Sequence, residues 1–222
     1  MTMSHRTRIK ICGLTRAEDV QAAVAAGADA LGFVFYAASP RCVTPAVAAE
    51  LMAQVPPFVT TVGLFVNAAA DEVVQTVAQA PVSLLQFHGD ETPAQCAALA
   101  ASVNRRFLRA FRVRPETTAA DLLQYESDYR AASGLFAGLL LDAFADNYGG
   151  AGKVFDWSVI SKDIAPRVVL SGGLSVPNVA GAIERVRPFA VDISSGVEQA
   201  KGIKDAGKIR AFIGAVRSAD IV

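Results

Sequence analysis

The sequence predicts an α/β protein of the (β/α)8 TIM-barrel class. Its 222 residues lie close to the ~250 typical of such barrels. Short β-branched or apolar runs alternate with longer, Ala-rich amphipathic stretches, the signature of repeated βα units around a parallel sheet. Eight units can be counted, and their near-even spacing favours closure into a barrel over an open, doubly wound sheet.

The first strand is expected over 8–12, with a helix beginning near Arg16. The second, 30–35, leads to a helix near Pro45, and the third, 60–65, to one near Ala70. Strands over 83–87 and 107–112 precede helices near Thr92 and Thr117. The sixth strand, 137–142, is followed by a Gly-rich run, 148–152, and a short helix near Trp157. Strands over 167–171 and 190–194 precede the last helices, near Val176 and Asp205. Thr, Asn or Ser stands before several of these helices, where its side-chain oxygen accepts an otherwise unpaired N–H of the first turn. No linker, low-complexity tract or charge block interrupts the pattern, so residues 1–222 are expected to form a single domain.

Composition narrows the function classes. Hydrophobic residues make up 52% of the chain, yet no apolar run approaches the ~18 residues of a membrane span. The start, 1–8, is polar and basic and lacks the apolar stretch of a signal peptide. Three scattered cysteines suit neither a disulfide framework nor zinc. A cytoplasmic protein without membrane contact is the expectation. Lys plus Arg equals Asp plus Glu at 21 each, so there is no general basic field for nucleic acid. Arg105, Arg106, Arg109, Arg112 and Arg114 read as a solvated face. The only histidines are His5 and His88, and no carboxylate cluster has ligand spacing, so no metal is expected. Monomer and homodimer remain equally open.

In a barrel of this class the reactive groups gather where strands end. Strand seven ends Leu170-Ser171-Gly172-Gly173-Leu174 and strand eight Asp192-Ile193-Ser194-Ser195-Gly196. Two adjacent Gly/Ser turns suit a phosphate, because Gly lets the backbone approach an anion and free N–H groups at a helix start attract it. The plainer alternative is that Gly172, Gly173 and Gly196 only permit tight turns. Cys12 ends strand one, where a partly exposed thiol near backbone N–H groups can ionise and act as base or nucleophile. Taken alone, a single Cys is more commonly a small core residue. Asp142 ends an apolar strand with few neighbours to solvate it, and such a carboxyl can stay protonated and act as general acid. A helix-capping role is the alternative. Strands one and six are three places apart in a ring of eight, so Cys12 and Asp142 should face each other across the mouth, an arrangement suited to an isomerisation without cofactor. Arg41, after Pro40, has the geometry to grip a carboxylate in two-pronged fashion, or is a surface residue. His88 is another candidate acid or base, placed behind Cys12 and Asp142 because a loop histidine before Gly89 is easily satisfied by backbone.

These strand ends resemble the phosphoribosylanthranilate isomerase family of tryptophan biosynthesis, from Lys10 to about Phe212. The segments that carry the resemblance are Lys10-Ile11-Cys12-Gly13, Gly32-Phe33-Val34-Phe35 with Ser39-Pro40-Arg41, Val62-Gly63-Leu64-Phe65-Val66-Asn67, Leu85-Gln86-Phe87-His88-Gly89-Asp90-Glu91, Leu140-Leu141-Asp142, the stretch from Gly149 to Trp157, and the two strand ends above with Val197-Glu198. The resemblance implies an Amadori rearrangement of N-(5-phosphoribosyl)anthranilate, an aminoaldose, to an aminoketose, with no cofactor. It implies Asp142 as the acid that opens the furanose ring and Cys12 as the base at C2. It implies Arg41 on the anthranilate carboxylate, and a phosphate site near Gly173, Ser195 and Gly196, with Gly172 and Ser194 in the same turns. It also implies a covering loop at 149–152. This chain departs from the family in having Tyr36-Ala37-Ala38 before Ser39, and Ala151 in place of a frequent Thr. Two other readings stand beside it. One is the related histidine-pathway isomerase, whose pattern carries Asp where this chain has Cys12. The other is a non-catalytic phosphosugar-binding barrel, which would need the phosphate turns but not both Cys12 and Asp142.

Overall fold

A computed structural model describes residues 6–144 and 154–220. The Gly-rich stretch 149–152, expected to cover the substrate, lies outside the described residues. Eight parallel strands form the barrel: β1 (Arg8–Cys12), β2 (Ala30–Val34), β3 (Thr60–Phe65), β4 (Leu84–Phe87), β5 (Arg106–Val113), β6 (Phe136–Ala143), β7 (Val169–Leu170) and β8 (Ala190–Ile193). Each pairs with the next, and β8 closes the ring on β1 with Lys10 opposite Asp192. Between them run α1 (Ala17–Ala26), α2 (Pro45–Met52), α3 (Ala70–Gln79), α4 (Pro93–Val103), α5 (Ala119–Ala132), α6 (Val179–Val186) and, after β8, α7 (Ala206–Ala219).

Local chemistry accounts for several boundaries. Thr44 caps α2 with Pro45 in its first turn, where a missing N–H costs nothing. Thr92 with Gln95 and Thr118 with Asp121 form reciprocal capping boxes at α4 and α5. Asp205 caps α7. The seam of the barrel is reinforced where the backbone N–H and hydroxyl of Thr7 both donate to the Asp220 carboxylate, at 2.9 and 2.7 Å.

The structure differs from expectation in two places. No α-helix forms near Trp157; two 3-10 turns, Trp157–Val159 and Ala165–Arg167, take its place. Pro166 lacks an N–H and would clash inside a continuous helix, so the segment anchors instead through buried Ile160, Ile164 and Ala165. A hairpin of β9 (Glu198–Ala200) and β10 (Ile203–Lys204) follows β8.

Alternation along the strands sorts side chains between two cores. Ile9 and Ile11 of β1 point outward beneath the helices, with a chain of rings from Phe35 through Phe65, Phe87 and Phe107 to Phe136 whose successive centroids lie 5.3, 6.5, 5.5 and 5.6 Å apart. Leu108, Ala110, Leu140, Val169 and Ala190 fill the barrel interior. Lys10 and Cys12, on the other face of β1 from Ile9 and Ile11, therefore enter the interior together.

Candidate active site

The C-terminal mouth of the barrel is a pocket whose lining includes all eight residues expected from the sequence: Cys12, Arg41, Asp142, Gly172, Gly173, Ser194, Ser195 and Gly196. Cys12 and Asp142 sit at the ends of β1 and β6, three strands apart around the ring.

Cys12 is buried, with 5% of its surface exposed, rather than partly exposed as expected. Its sulfur occupies the space left by Gly32 on β2: a Cβ there would lie 2.7 Å from Sγ and 3.1 Å from Cε of Lys10. Burial pushes the Cys12 thiol up, against the pull of the Lys10 and Lys204 ammonium groups. Burial thus opposes ionisation of the thiol, while the two lysines supply the field that favours its thiolate. Lys10 Nζ lies 2.9 Å from Asp192 Oδ1, with both side chains almost fully buried. Burial opposes the charge of Lys10, yet Asp192 and Cys12 together hold its ammonium above the ordinary lysine range.

Asp142 is better provided for than an apolar strand implies. Its Oδ1 accepts from the Ala143 N–H at 2.9 Å, and its Oδ2 lies 3.2 Å from His88 Nε2. The turn after β7 presses against it. Gly172 has φ +80°, and a Cβ on it would meet Ala143 N at 2.4 Å and Asp142 Oδ1 at 2.8 Å, so this position excludes any side chain twice over. Asn178 pins the same turn, donating to Gly173 O at 2.9 Å and accepting from Ser175 N at 2.8 Å. Because α6 starts only at Val179, the pocket-lining Gly172 and Gly173 belong to a turn and not to a helix start. At β8 the chain makes a single 3-10 turn, Ser195–Val197.

Arg41 does make a two-pronged carboxylate contact, but in the free protein its partner is Glu198: Nε to Oε1 at 2.6 Å and Nη2 to Oε2 at 2.9 Å. Lys204 Nζ also reaches Glu198 Oε1, at 3.0 Å, as well as Ser194 O and Oγ. Burial works against the Glu198 charge, but Arg41 and Lys204 outweigh it and hold the carboxyl below its ordinary range. The β9–β10 hairpin thus brings an anion and a cation to the mouth.

The model of the N-(5'-phosphoribosyl)anthranilate (PRA) isomerase family matches residues 9–215. The chain belongs to that family. It is 70% identical over 219 residues to the N-(5'-phosphoribosyl)anthranilate isomerase of Herminiimonas arsenicoxydans, across 99% of this chain and 96% of that protein. With the Ralstonia nicotianae isomerase it shares 56% over 225 residues, 97% of this chain and 95% of the relative. The crystal structure of the Thermotoga maritima phosphoribosylanthranilate isomerase superposes with a TM-score of 0.81 at 39% identity, covering 96% of this chain and 99% of the other. A phosphoribosylanthranilate isomerase crystallised with reduced 1-(o-carboxyphenylamino)-1-deoxyribulose 5-phosphate gives a TM-score of 0.78 at 36% identity, covering the same shares.

Sequence reasoning about this isomerase-family pocket missed Lys10, Asp192, Glu198 and Lys204, and undervalued His88. A signal existed for Lys10: it stands two residues before Cys12, on the same strand face. The Glu198 and Lys204 contacts depend on a hairpin that no periodicity announced. Among the described residues no His, Cys, Asp or Glu cluster suits a metal, and no helix is long and apolar enough to cross a membrane.

Proposed function

We infer that the chain is an aldose-ketose isomerase acting on N-(5'-phosphoribosyl)anthranilate in tryptophan biosynthesis. Family membership across residues 9–215 carries this reading, and the pocket's pairing of a strand-one thiol with a strand-six carboxyl supports it chemically. The whole barrel serves as one catalytic domain, works in the cytoplasm, and uses a phosphorylated small molecule as its partner.

Asp142 gives its proton to the furanose ring oxygen as the C1–O bond breaks, while the anthranilate nitrogen lone pair forms C1=N. Cys12, as thiolate, takes the proton from C2; the C2–H electrons become a C1=C2 bond and the C1=N electrons return to nitrogen. The enolamine then tautomerises to the ketone. The backbone of Gly172, Gly173, Ser194, Ser195 and Gly196 receives the phosphate at the β7 and β8 ends. Arg41 takes the anthranilate carboxylate. Glu198 takes its single Nε–H and one of the two N–H groups on Nη2, so the second Nη2 N–H and both on Nη1 are the donors left for substrate.

The test is the rate at which purified protein, without added metal or cofactor, consumes freshly generated N-(5'-phosphoribosyl)anthranilate, followed by loss of its fluorescence. Rapid consumption that collapses in Asp142→Asn is the expected result. Absence of consumption by the native chain overturns the reading, and a Cys12→Ala variant with native turnover removes the base from the mechanism.

A further inference from the structure

His88 enters the pocket beside Asp142, and its own surroundings say more than its presence does. The ring is 8% exposed and spans two side chains. On one side Nε2 lies 3.2 Å from Asp142 Oδ2; on the other Nδ1 lies 3.0 Å from Gln86 Nε2. Gln86 is fully buried on the inward face of β4, and its amide nitrogen is a donor only. With the Gln86 amide in this orientation a donor faces Nδ1, which makes Nδ1 the unprotonated ring nitrogen and places the neutral ring's proton on Nε2, aimed at Asp142. Gln86 Oε1 is buried with no hydrogen-bond partner. An unpaired buried carbonyl is disfavoured, and turning the amide over would satisfy this one only by placing a proton on Nδ1 of His88.

The loop that carries the ring is braced from behind. His88 N donates to Phe65 O at 2.9 Å, and Gly89 N to Glu91 Oε2 at 3.0 Å. Glu91 pairs with Arg109, which also donates to Phe87 O and Gly89 O, both at 2.9 Å. The buried charges of Glu91 and Arg109 behind His88 are therefore engaged with each other, and Asp142 is its hydrogen-bond partner on the pocket side.

We propose that His88, fixed by Gln86 as the Nε2–H tautomer, is a positioning residue that orients Asp142 and stabilises the carboxylate left when Asp142 gives its proton to substrate. No bond to substrate is involved. Asp142 passes from carboxylic acid to carboxylate, and the same Nε2–H hydrogen bond becomes charge-assisted at that moment, so it strengthens as the reaction proceeds. Gln86 acts one step further back, as the group that decides which ring nitrogen carries the proton. The proposal rests on the acid role given to Asp142 above.

The chain has two histidines, which makes the tautomer directly readable. In a His5→Gln background with 15N-labelled imidazole, the single remaining ring is expected to carry its proton on Nε2 in the neutral form. Gln86→Glu presents an acceptor instead of a donor and is expected to move the proton to Nδ1, lowering kcat about 10-fold with KM within about 3-fold. His88→Leu removes the donor, with an expected kcat loss of about 10²-fold, the scale of deleting one hydrogen bond to a developing charge. His88→Gln keeps an N–H near the Nε2 position and is expected to recover most of that loss, which a merely space-filling role would not produce. An Nδ1–H tautomer in the otherwise native site, or His88→Leu turning over at a near-native rate, overturns the proposal while leaving the isomerase reading intact. No turnover by the native chain overturns that reading itself, whatever the tautomer.

Discussion

The two ends of the barrel are built on the same eight strands but place their charges in opposite ways. At the N-terminal end the cations sit at the rim: Arg6 on Asp29, and Arg130 and Arg167 on Glu126, with 56%, 55% and 47% of their side chains exposed. At the mouth, Lys10, Asp192, Arg41, Glu198, Lys204, His88 and Asp142 all keep 15% or less of the side chain exposed. Exposed pairs are weakened by water and salt and contribute little each. Buried ones act strongly over short distances and cannot be broken cheaply. The N-terminal end therefore reads as distributed stabilisation, and the mouth as a fixed electrostatic environment into which a substrate is inserted.

The sharpest break between the ends should come from Asp142→Asn, with kcat lower by about 10³-fold and little change in melting temperature. Lys10→Met tests whether buried charge at the mouth is also a folding element. It strands Asp192 without its cation, and a loss of about 3–5 kcal/mol in denaturant unfolding is expected; a smaller loss than at the rim would erase the contrast. Arg41→Ala should raise KM about 10-fold with kcat within a few-fold, since a contact remote from the reacting carbons is uniform binding.

The smallest effect belongs to the rim. Hydrogen bonds from Arg167 and then Arg130, outweighing partial burial, hold the Glu126 carboxyl below its ordinary value of 4.5. A carboxyl depressed in the folded state contributes stability that is complete above the unfolded value and disappears as pH falls through the folded one. The native melting temperature should thus fall more steeply below pH ~4.5 than that of Glu126→Gln, whose stability at neutral pH is lower by under about 1 kcal/mol and whose kcat is unchanged.

The strands were legible because a parallel sheet buried on both faces leaves short apolar runs that few other elements leave, and β1 and β3 fall where the sequence puts them. Strand ends then pointed to Cys12, Asp142 and Arg41. Other features follow from contacts that sequence spacing does not encode. A 3-10 turn at Trp157–Val159 replaces what reads as a short sixth helix, Glu198 meets Arg41 across 157 positions of chain, and His88 meets Asp142 across 54. The sequence offered both an exposed and a buried Cys12, because the outcome depends on Gly32, a neighbour only once β1 and β2 pair.

The seam between β1 and β8 also sets an order of events. Lys10 leaves the ribosome 182 residues ahead of Asp192, and Thr7 leaves it 213 residues ahead of Asp220. At roughly 5–20 residues per second, the lysine beside the reactive thiol waits on the order of ten to forty seconds for its counter-ion. The chemistry at the mouth is therefore completed only once β8 has been made, and a chain cut short anywhere before β8 is born without it.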